Sequence, residues 1–405
     1  MLFANPRATR APYPTELRTI MSIERAAESR RWMKDWSGIA REATPLRDLP
    51  GLAQKVGVAR FSVKDESARS PLGSFKALGA PIALVRQILR LYPDLDPAAV
   101  LTGRYADLLK NYTVISATDG NHGKGLAAAA RDAGCRCVIV LHANVSVERE
   151  QAIAAFGAEI RRITGNYDES VEEAARLSAA LGWQVISDTS YEGYEDIPRD
   201  VMQGYGTIAA EIVEQTDAKP GEAGAFTHVF LQGGVGGMAA GLASYLWEYQ
   251  GAQRPHFIMV EPEQADCLLQ SAIQGRPAKA TGSVDSVMAG LACGETSPLA
   301  WKFLETSVDH FMTITDEHAV AAMRALATGG DKDIPIVAGE SGTAGLAALE
   351  LLRADAGLSA QVGLDAQSRV LIVSTEGATA PQTYAELVGE SAESVEQRQA
   401  AFSKK

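Results

Sequence analysis

Residues 113–133 read TVISATDGNHGKGLAAAARDA, and this stretch contains a strand, a loop and a helix in that order. The run Thr113–Ala117 is rich in β-branched and small residues, as a buried strand is. The residues that follow, up to Gly123, are small or polar, which is typical of a turn into a helix. Gly125–Ala133 is rich in alanine, the strongest helix former. The stretch therefore predicts one strand–loop–helix unit.

The same alternation continues along the chain. Strands are predicted at 136–141, 158–163, 184–187, 228–231, 257–260 and 370–373, and helices at 146–156, 167–181 and 238–249. Strands that alternate with helices of this length argue for an α/β fold, in which parallel sheets carry helices on both faces. The 405 residues are enough for two domains.

Charge and composition exclude several classes of partner. The formal net charge of −12 argues against nucleic acid and against anionic membrane surfaces. No apolar run is long enough to span a bilayer, and residues 1–31 lack the apolar core of a secretory signal, so we expect a cytoplasmic protein. No spacing of cysteine and histidine indicates a metal site, and we expect Cys135 and Cys137 to pack as small apolar side chains.

A lysine stands in a small-residue turn at Gly73–Gly79, which reads GSFKALG. The apolar helical run that follows would partly desolvate Lys76, and burial favours the neutral form of an amine. A neutral lysine amine is what a Schiff-base lysine needs. By itself the turn is more typical of an ordinary solvated lysine.

Two further loops suggest an anion. Ala117–Gly123 reads ATDGNHG and opens a helix at the carboxyl end of a strand, where ligands bind in open α/β sheets, although Asp and Asn also cap helices. Gly233–Gly237 reads GGVGG, and its glycines allow successive backbone amides to form a phosphate-binding nest. The same loop also fits a dinucleotide fingerprint, with Glu261 placed as a ribose-binding acid.

One cofactor other than a dinucleotide accounts for all three loops, whereas a dinucleotide would account only for the glycine loop. A lysine amine would hold an aldehyde, the Asn121 amide a ring hydroxyl, and the glycine nest a phosphate. Pyridoxal 5'-phosphate carries these three groups and acts as an electron sink in amino-acid chemistry.

The chain resembles the fold-type II pyridoxal-phosphate enzymes, the group of the tryptophan synthase β-subunit and threonine dehydratase. Within that group it is most similar to the diaminopropionate ammonia-lyases over nearly its whole length. The matching segments are VKDES at 63–67, the Gly73–Gly79 and Ala117–Gly123 loops, SDTSYEGY at 187–194 and STEG at 374–377. The resemblance implies two open, twisted, mostly parallel sheets in a bilobal homodimer. It also implies a large domain of residues 1–76 and 196–405 and a small inserted domain of residues 77–195.

The resemblance also implies roles for individual residues. Lys76 would be the Schiff-base lysine, and Asn121 would bond the ring hydroxyl. A hydroxyl of Ser374 or Thr375 would meet the pyridine nitrogen. The phosphate would be held by the glycine loop, whose residues are Gly233, Gly234, Val235, Gly236 and Gly237.

Two carboxylates suggest the substrate. Dehydratases of serine and threonine resemble the Ala117–Gly123 loop but carry a small residue where Asp119 stands. A carboxylate there can act as a second base opposite Lys76 and attract a substrate ammonium. Asp188 would bind the same ammonium, with Thr118 and Tyr191 as further substrate contacts, whereas His122 is interpreted as loop packing. The expected reaction is therefore the elimination of ammonia from L-2,3-diaminopropionate, and also from its D-isomer, to give pyruvate.

Several alternatives stay open at this level. The same scaffold could carry a serine or threonine dehydratase, or a protein that binds pyridoxal phosphate or amino acids without turnover. The resemblance places two more loops near the cofactor, 288–292 (MAGLA) and 339–345 (GESGTAG). Cys267 and Cys293 flank the first of these loops, and a disulfide between them would order the entrance, although two thiols are the more ordinary state in a reducing compartment.

Overall fold

The computed structural model describes residues 1–118, 120–143, 145–165 and 167–403. The chain divides into two compact units. The large unit contains residues 1–23, 43–68 and 208–405, and the small unit contains residues 24–42 and 69–207. These bounds differ from the expected domains, because segments 24–42, 69–76 and 196–207 belong to the small unit. The first of these segments is the largest difference. Trp36 explains this: it is buried, and its indole Nε1 donates to Asp132 Oδ2 at 2.8 Å, within that unit.

The described residues form eleven strands and eighteen helices, together with four short 3-10 helices. The strands are β1 (Leu2–Ala4), β2 (Leu46–Asp48), β3 (Arg60–Asp65), β4 (Thr113–Ala117), β5 (Arg136–Leu141), β6 (Glu159–Arg162), β7 (Gln184–Val185), β8 (His228–Gln232), β9 (His256–Pro262), β10 (His310–Ile314) and β11 (Arg369–Ser374). The helices are α1 (Thr15–Ile20), α2 (Ile23–Met33), α3 (Pro50–Val56), α4 (Ala80–Leu91), α5 (Pro97–Val100), α6 (Ala106–Leu109), α7 (Asn121–Ala133), α8 (Val147–Ala154), α9 (Tyr167–Leu181), α10 (Asp196–Gln215), α11 (Gly237–Gln250), α12 (Cys267–Gln274), α13 (Pro298–Ser307), α14 (Asp316–Thr328), α15 (Ala344–Ala354), α16 (Ala356–Gln361), α17 (Pro381–Val388) and α18 (Ala392–Phe402). None of these described helices is long and apolar enough to cross a lipid bilayer.

The large unit is built on a seven-stranded sheet with the order β1-β10-β9-β8-β11-β3-β2. Its five inner strands are parallel, and the two edge strands, β1 and β2, are antiparallel to their neighbours. The inner strands are almost completely buried, as expected for parallel strands covered by helices on both faces. Because β8 and β11 are adjacent and parallel, the loops after them leave the same edge of the sheet.

The small unit is built on a four-stranded parallel sheet with the order β6-β5-β4-β7. Its core contains Ile115, Val138 and Val140 from the strands and Ala174 and Leu177 from α9. Because β4 and β7 pair directly and in parallel, the chain leaves both strands, at Thr118 and at Ile186, on the same edge of this sheet. That edge carries the candidate chemistry of the small unit.

The predicted α/β fold with mostly parallel sheets is confirmed. Strands β4 and β5 and helix α9 have the bounds expected from the sequence, and Cys135 and Cys137 are buried as predicted. The sequence reasoning missed β1, β2, β3 and β10. Strand β3 was missed because Lys64 and Asp65 interrupt its apolar run; in the structure Lys64 is buried, and its Nζ lies 2.6 Å from Glu211 Oε2.

Candidate active site

Lys76 lies in a 3-10 helix, Phe75–Leu78, between the Gly73 turn and α4. Gly73 has φ +74°, a left-handed conformation that glycine adopts without strain. Ala77 and Leu78 are buried and anchor the turn, while the Lys76 side chain keeps 21% of its surface exposed. A Cβ added at Gly125 of α7 would lie 3.2 Å from the Lys76 carbonyl oxygen, so α7 packs closely on this backbone.

Lys76 and Asp188 form an ion pair in the small unit, with Nζ 2.5 Å from Oδ2. The expectation that the surroundings of Lys76 favour a neutral amine is wrong for this state, because an adjacent carboxylate stabilises the ammonium form. Burial alone would raise the pKa of Asp188, but the charge of Lys76 and its hydrogen bond hold the pKa well below its usual range. Asp188 is therefore a carboxylate that already binds an ammonium.

His122 supports the Asp188 side chain from α7. It is buried, and its Nε2 donates to the Ile186 carbonyl at 2.9 Å. Its Nδ1 lies 3.7 Å from Asp188 Oδ2, too far for a hydrogen bond. Burial lowers the pKa of His122, so the ring is neutral near pH 7. This geometry fits the packing role expected for His122 rather than that of a base.

The other predicted residues of the Ala117–Gly123 loop lie at the carboxyl end of β4. Asn121 is the first residue of α7, and both it and Thr118 are half-buried. A Cβ at Gly123 would lie 3.0 Å from the Thr118 methyl group, so glycine permits the tight return of this loop. Asp119, the proposed second base, lies outside the described residues.

The loop 187–194 is held by Tyr194, which the sequence reasoning did not single out. The Tyr194 hydroxyl accepts a hydrogen bond from the Ser187 amide at 3.0 Å and donates to the Val185 carbonyl at 3.0 Å. Tyr191 stacks on the Tyr194 ring at 4.8 Å between centroids and remains half exposed. The loop that carries Asp188 is thus tied to the end of β7, and Tyr191 presents a ring to solvent.

The glycine loop of the large unit has the backbone geometry of an anion nest. Gly234 and Gly236 have φ values of +64° and +98°, and Gly237 begins α11. The Gly233 and Gly236 amides are used within the fold, by the carbonyls of Val260 and Gly233. The first amides of a helix have no partner within the helix, so those at the start of α11 are available to an anion.

The two extra loops predicted near the cofactor come together around this nest. A Cβ at Gly234 would lie 3.1 Å from the Gly290 carbonyl, and the Gly290 amide donates to Ser341 Oγ at 3.0 Å. The Ser341 amide in turn donates to the Glu376 carboxylate at 3.2 Å. Loops 288–292 and 339–345 therefore meet the segment 374–377 at one edge of the large unit's sheet.

Ser374 is the last residue of β11 at this edge, Thr375 follows it, and both are buried. The Ser374 hydroxyl lies 3.5 Å from the Glu376 carbonyl, at the outer limit of a hydrogen bond. A hydroxyl held this loosely can turn to another partner. Ser374 therefore fits a hydrogen bond to a ring nitrogen at least as well as Thr375 does.

Glu261 does not fit the role of a ribose-binding acid. Its side chain is fully buried, and its two oxygens accept the amides of Leu268 and Leu269 at 2.8 Å each. Burial raises the pKa of this carboxyl to about 8. Glu261 accepts the first amides of α12 and is not available to a ligand. The alternative prediction, that the glycine loop binds a dinucleotide with Glu261 on its ribose, is therefore wrong.

The idea of a disulfide at the loop entrance is also wrong for this structure. All four cysteines lie within the described residues and carry thiols. The Cys267 thiol donates to the Gly234 carbonyl at 3.4 Å and lies 3.8 Å from Glu261 Oε1. Burial raises the pKa of Cys267 far above its usual range, so the thiol stays protonated and unreactive.

The donors found in the two units match the groups of pyridoxal phosphate. The small unit supplies an accessible lysine amine and a helix-start amide side chain, and the large unit supplies an anion nest and a buried hydroxyl. Gly234 and Gly236 have positive φ, and a Cβ added at either would crowd neighbouring atoms of the large unit, so the conformation of the nest depends on glycine at both positions.

Comparison with known proteins agrees with this donor set. Residues 39–376 match the family model described as pyridoxal-phosphate dependent enzyme. The diaminopropionate ammonia-lyase of Escherichia coli (strain K12) is 38% identical over 352 residues, which cover 86% of this chain and 87% of the relative. That of Salmonella typhimurium is 37% identical over 355 residues, covering 85% and 87%.

Solved structures of the Escherichia coli ammonia-lyase have the same fold. The holo form superimposes with a TM-score of 0.86 at 35% identity and covers 96% of both chains. A complex with an aminoacrylate-PLP azomethine reaction intermediate and a complex with D-serine each give a TM-score of 0.84 at 35% identity, again over 96% of both chains.

Proposed function

This chain belongs to the family of pyridoxal-phosphate-dependent enzymes, and we propose that it eliminates ammonia from 2,3-diaminopropionate. The products are pyruvate and two molecules of ammonia, the second released when the aminoacrylate product hydrolyses. One observation in the structure carries the choice of substrate: the Asp188 carboxylate pairs with the amine of Lys76 and so has the charge and position to bind an ammonium group. A substrate with a second amine offers such a carboxylate a partner, whereas serine and threonine do not.

Asp188 is assigned to the substrate's β-ammonium. The carboxylate stays charged at neutral pH because Lys76 holds its pKa low. When Lys76 is attached to the cofactor or acts as the base, its amine no longer pairs with Asp188. The substrate's β-ammonium then takes the place of the Lys76 amine on the Asp188 carboxylate. Thr118 and Tyr191 are assigned to the same substrate, the first near the start of α7 and the second on the loop that carries Asp188.

Lys76 is assigned both the attachment of the cofactor and the removal of a proton from the substrate. Pyridoxal phosphate, when bound, supplies an electron sink for the charge that develops at the α-carbon. The Lys76 amine takes the Cα proton of the L-isomer. The substrate's β-nitrogen leaves as neutral ammonia directly from the ammonium form that Asp188 binds, so it needs no further proton from Lys76.

Asp119 is assigned to the opposite face of the substrate. A carboxylate there takes the Cα proton of the D-isomer. If Asp119 has this role, Asp119→Asn should lose D-isomer turnover while L-isomer turnover persists. Equal loss on both isomers would contradict the assignment of two bases.

The remaining contacts to the cofactor are assigned to residues that follow the carboxyl ends of strands in the two sheets. The Gly233–Gly237 loop would hold the phosphate on its amides and on the start of α11. Asn121 would bond the ring hydroxyl, and Ser374 or Thr375 the ring nitrogen. These groups fix the orientation of the cofactor and therefore decide which substrate bond is activated.

The test is pyruvate formation by the purified protein loaded with pyridoxal phosphate. The parent enzyme should form pyruvate from L-2,3-diaminopropionate, and Lys76→Ala should lose both covalent cofactor and activity. Lys55→Ala is a matched control, because Lys55 is an exposed lysine paired with Glu350. Pyruvate formed only from serine or threonine would make the enzyme a dehydratase instead.

We also propose a cytoplasmic homodimer, as the family resemblance led us to expect. Light scattering on the purified holoenzyme should give twice the 43.0 kDa mass of the chain. A monomeric mass would contradict the dimer, and recovery of the enzyme outside the cytoplasmic fraction would contradict the localisation.

A further inference from the structure

Tyr205 of α10 packs on both ends of the turn that carries Lys76. Its ring meets the Phe75 ring edge-on, with centroids 4.8 Å apart. A Cβ added at Gly79 would lie 2.6 Å from the Tyr205 hydroxyl oxygen, so the hydroxyl rests directly against the backbone that follows Lys76. Only 1% of the residue is exposed. The tyrosine is therefore fixed against the Lys76 turn within the small unit.

The Tyr205 hydroxyl is buried and makes no hydrogen bond of good geometry among the described residues, although the Lys76 amine lies close enough to act on it as a donor. Buried hydroxyls almost always have a partner, and each exception calls for an explanation. Burial raises the pKa of this hydroxyl, while the charge of Lys76 acts in the opposite direction. The Lys76 ammonium is thus close enough to influence the hydroxyl, even though its own strong bond goes to Asp188.

We propose that Tyr205 is a positioning residue for Lys76, whose hydroxyl accepts a hydrogen bond from the Lys76 amine when that amine leaves Asp188. This proposal rests on the proposed function, in which Lys76 must act as a base. An amine bound to Asp188 as an ammonium has no lone pair with which to take a proton. The neutral amine keeps two N–H donors and one lone pair, so an acceptor on one N–H orients the lone pair.

The charged and titratable groups around the hydroxyl are consistent with this role. Lys76 and Asp188 both act on it electrostatically, and His122, which contacts Asp188, is neutral near pH 7. When a substrate ammonium occupies Asp188, the hydroxyl of Tyr205 is a neutral acceptor already in place for the displaced Lys76 amine. A neutral acceptor suits a base better than a carboxylate, because it stabilises the charged amine less.

The decisive variant is Tyr205→Phe, which removes the hydroxyl and leaves the ring packed on Phe75. Tyr384→Phe is the matched control, because Tyr384 is also fully buried and its hydroxyl also has no partner among the described residues. We expect kcat for L-2,3-diaminopropionate to fall about tenfold in Tyr205→Phe, with KM changed less than about twofold. The control should match the parent in both constants.

A second readout does not depend on turnover. The rate at which the cofactor-free full-length chain attaches pyridoxal phosphate, followed by absorbance against pH, reports how readily Lys76 loses its proton. Loss of an acceptor that stabilises the ammonium lowers the pKa of the amine, so the midpoint should move to lower pH by about half a unit in Tyr205→Phe. The acidic limb of the kcat profile should move in the same direction.

The outcomes separate this proposal from the proposed function. Unchanged kcat and an unchanged attachment midpoint in Tyr205→Phe would overturn the role of Tyr205, as would equal changes in Tyr384→Phe. If the parent attaches the cofactor but forms no pyruvate, the proposed function fails and the attachment midpoint still decides about Tyr205. Gly79→Ala provides an independent check, because its methyl group would displace the hydroxyl; it should shift the midpoint in the parent but not in the Tyr205→Phe background.

Discussion

Asp188 shows how one carboxylate can serve two ammonium groups in turn. In the structure its Oδ2 lies 2.5 Å from the Lys76 amine, while its side chain keeps 24% of its surface exposed. A carboxylate that is partly open to solvent can exchange one cation for another. The predicted role of Asp188 in substrate binding and the observed pair with Lys76 are therefore compatible, since both need the same negative charge.

Asp188→Asn should weaken the binding of diaminopropionate more than that of serine. We expect KM for L-2,3-diaminopropionate to rise by at least about tenfold, which corresponds to about 1.4 kcal/mol, because the amide cannot pair with the β-ammonium. KM for L-serine, which lacks that ammonium, should change much less. Asp196→Asn is the control, since Asp196 is an exposed aspartate on α10. Equal increases in KM for both substrates would refute the assignment.

Among the elements, the glycine loop between β8 and α11 depends most on backbone conformation. Gly234 and Gly236 have positive φ, and a Cβ added at Gly234 would make a tight contact of 3.1 Å with the Gly290 carbonyl oxygen. An ordinary residue in this region of φ costs free energy because its Cβ crowds the following carbonyl. Such strain is expected where a backbone must approach a ligand closely.

Gly234→Ala should reduce the affinity for pyridoxal phosphate by at least about tenfold. Gly251→Ala separates backbone strain from the effect on the ligand, because Gly251 also has a positive φ, +59°, but no atom within 4 Å of an added Cβ. Each variant should lose about 1 kcal/mol of unfolding free energy, but only Gly234→Ala should lose cofactor affinity. Cofactor titration by absorbance and urea unfolding measure the two effects, and equal affinities in the two variants would argue against a phosphate site here.

The central strands could be predicted from sequence because they are apolar runs bounded by glycine. Strand β4 ends at Ala117 and β5 ends at Leu141, where the sequence predicted. Strand β1 has only three residues, and β3 contains a buried Lys64 whose partner, Glu211, lies far away along the chain. Periodicity cannot detect a strand when the polar residues in it are satisfied by tertiary contacts.

Sequence predicts the residues of the candidate site that belong to a local motif. It does not predict those that reach the site only through tertiary packing. The Lys76 turn and the glycine loop have local signatures. Tyr205 has none, because it is an aromatic residue in a largely buried helix and contacts the Lys76 turn only through the fold. Asp188 was expected to meet the substrate, but its pair with Lys76 depends on the position of β7 beside β4, which no single segment encodes.

At the scale of the whole molecule, a row of histidines crosses the sheet of the large unit. His228, His256 and His310 are the first residues of the adjacent strands β8, β9 and β10. Burial lowers the pKa of all three, that of His228 to about 4. The unfolded chain therefore binds protons on these rings at a higher pH than the folded chain does, and their contribution to stability is lost as the pH falls from about 6.5 toward 4.

His228→Gln should make unfolding less sensitive to acid. The Nε2 of His228 lies 2.9 Å from the Val362 carbonyl, and a glutamine amide can donate in its place without titrating. Between pH 7.5 and pH 5 the parent should lose about 2 kcal/mol of unfolding free energy more than the variant. His318→Gln is the control, since His318 lies in the capping box of α14 and glutamine can also occupy that position. Parallel pH curves for parent and His228→Gln would contradict this account.

The most direct test of the central claim is the substrate preference of the purified holoenzyme. Initial rates of pyruvate formation, or of 2-oxobutyrate formation from threonine, would be compared for L- and D-2,3-diaminopropionate, L- and D-serine and L-threonine. We expect kcat/KM for both diaminopropionate isomers to exceed that for serine and threonine by at least about tenfold, because only diaminopropionate offers Asp188 a second ammonium. A higher kcat/KM for serine or threonine would contradict the account and place the chain among the dehydratases.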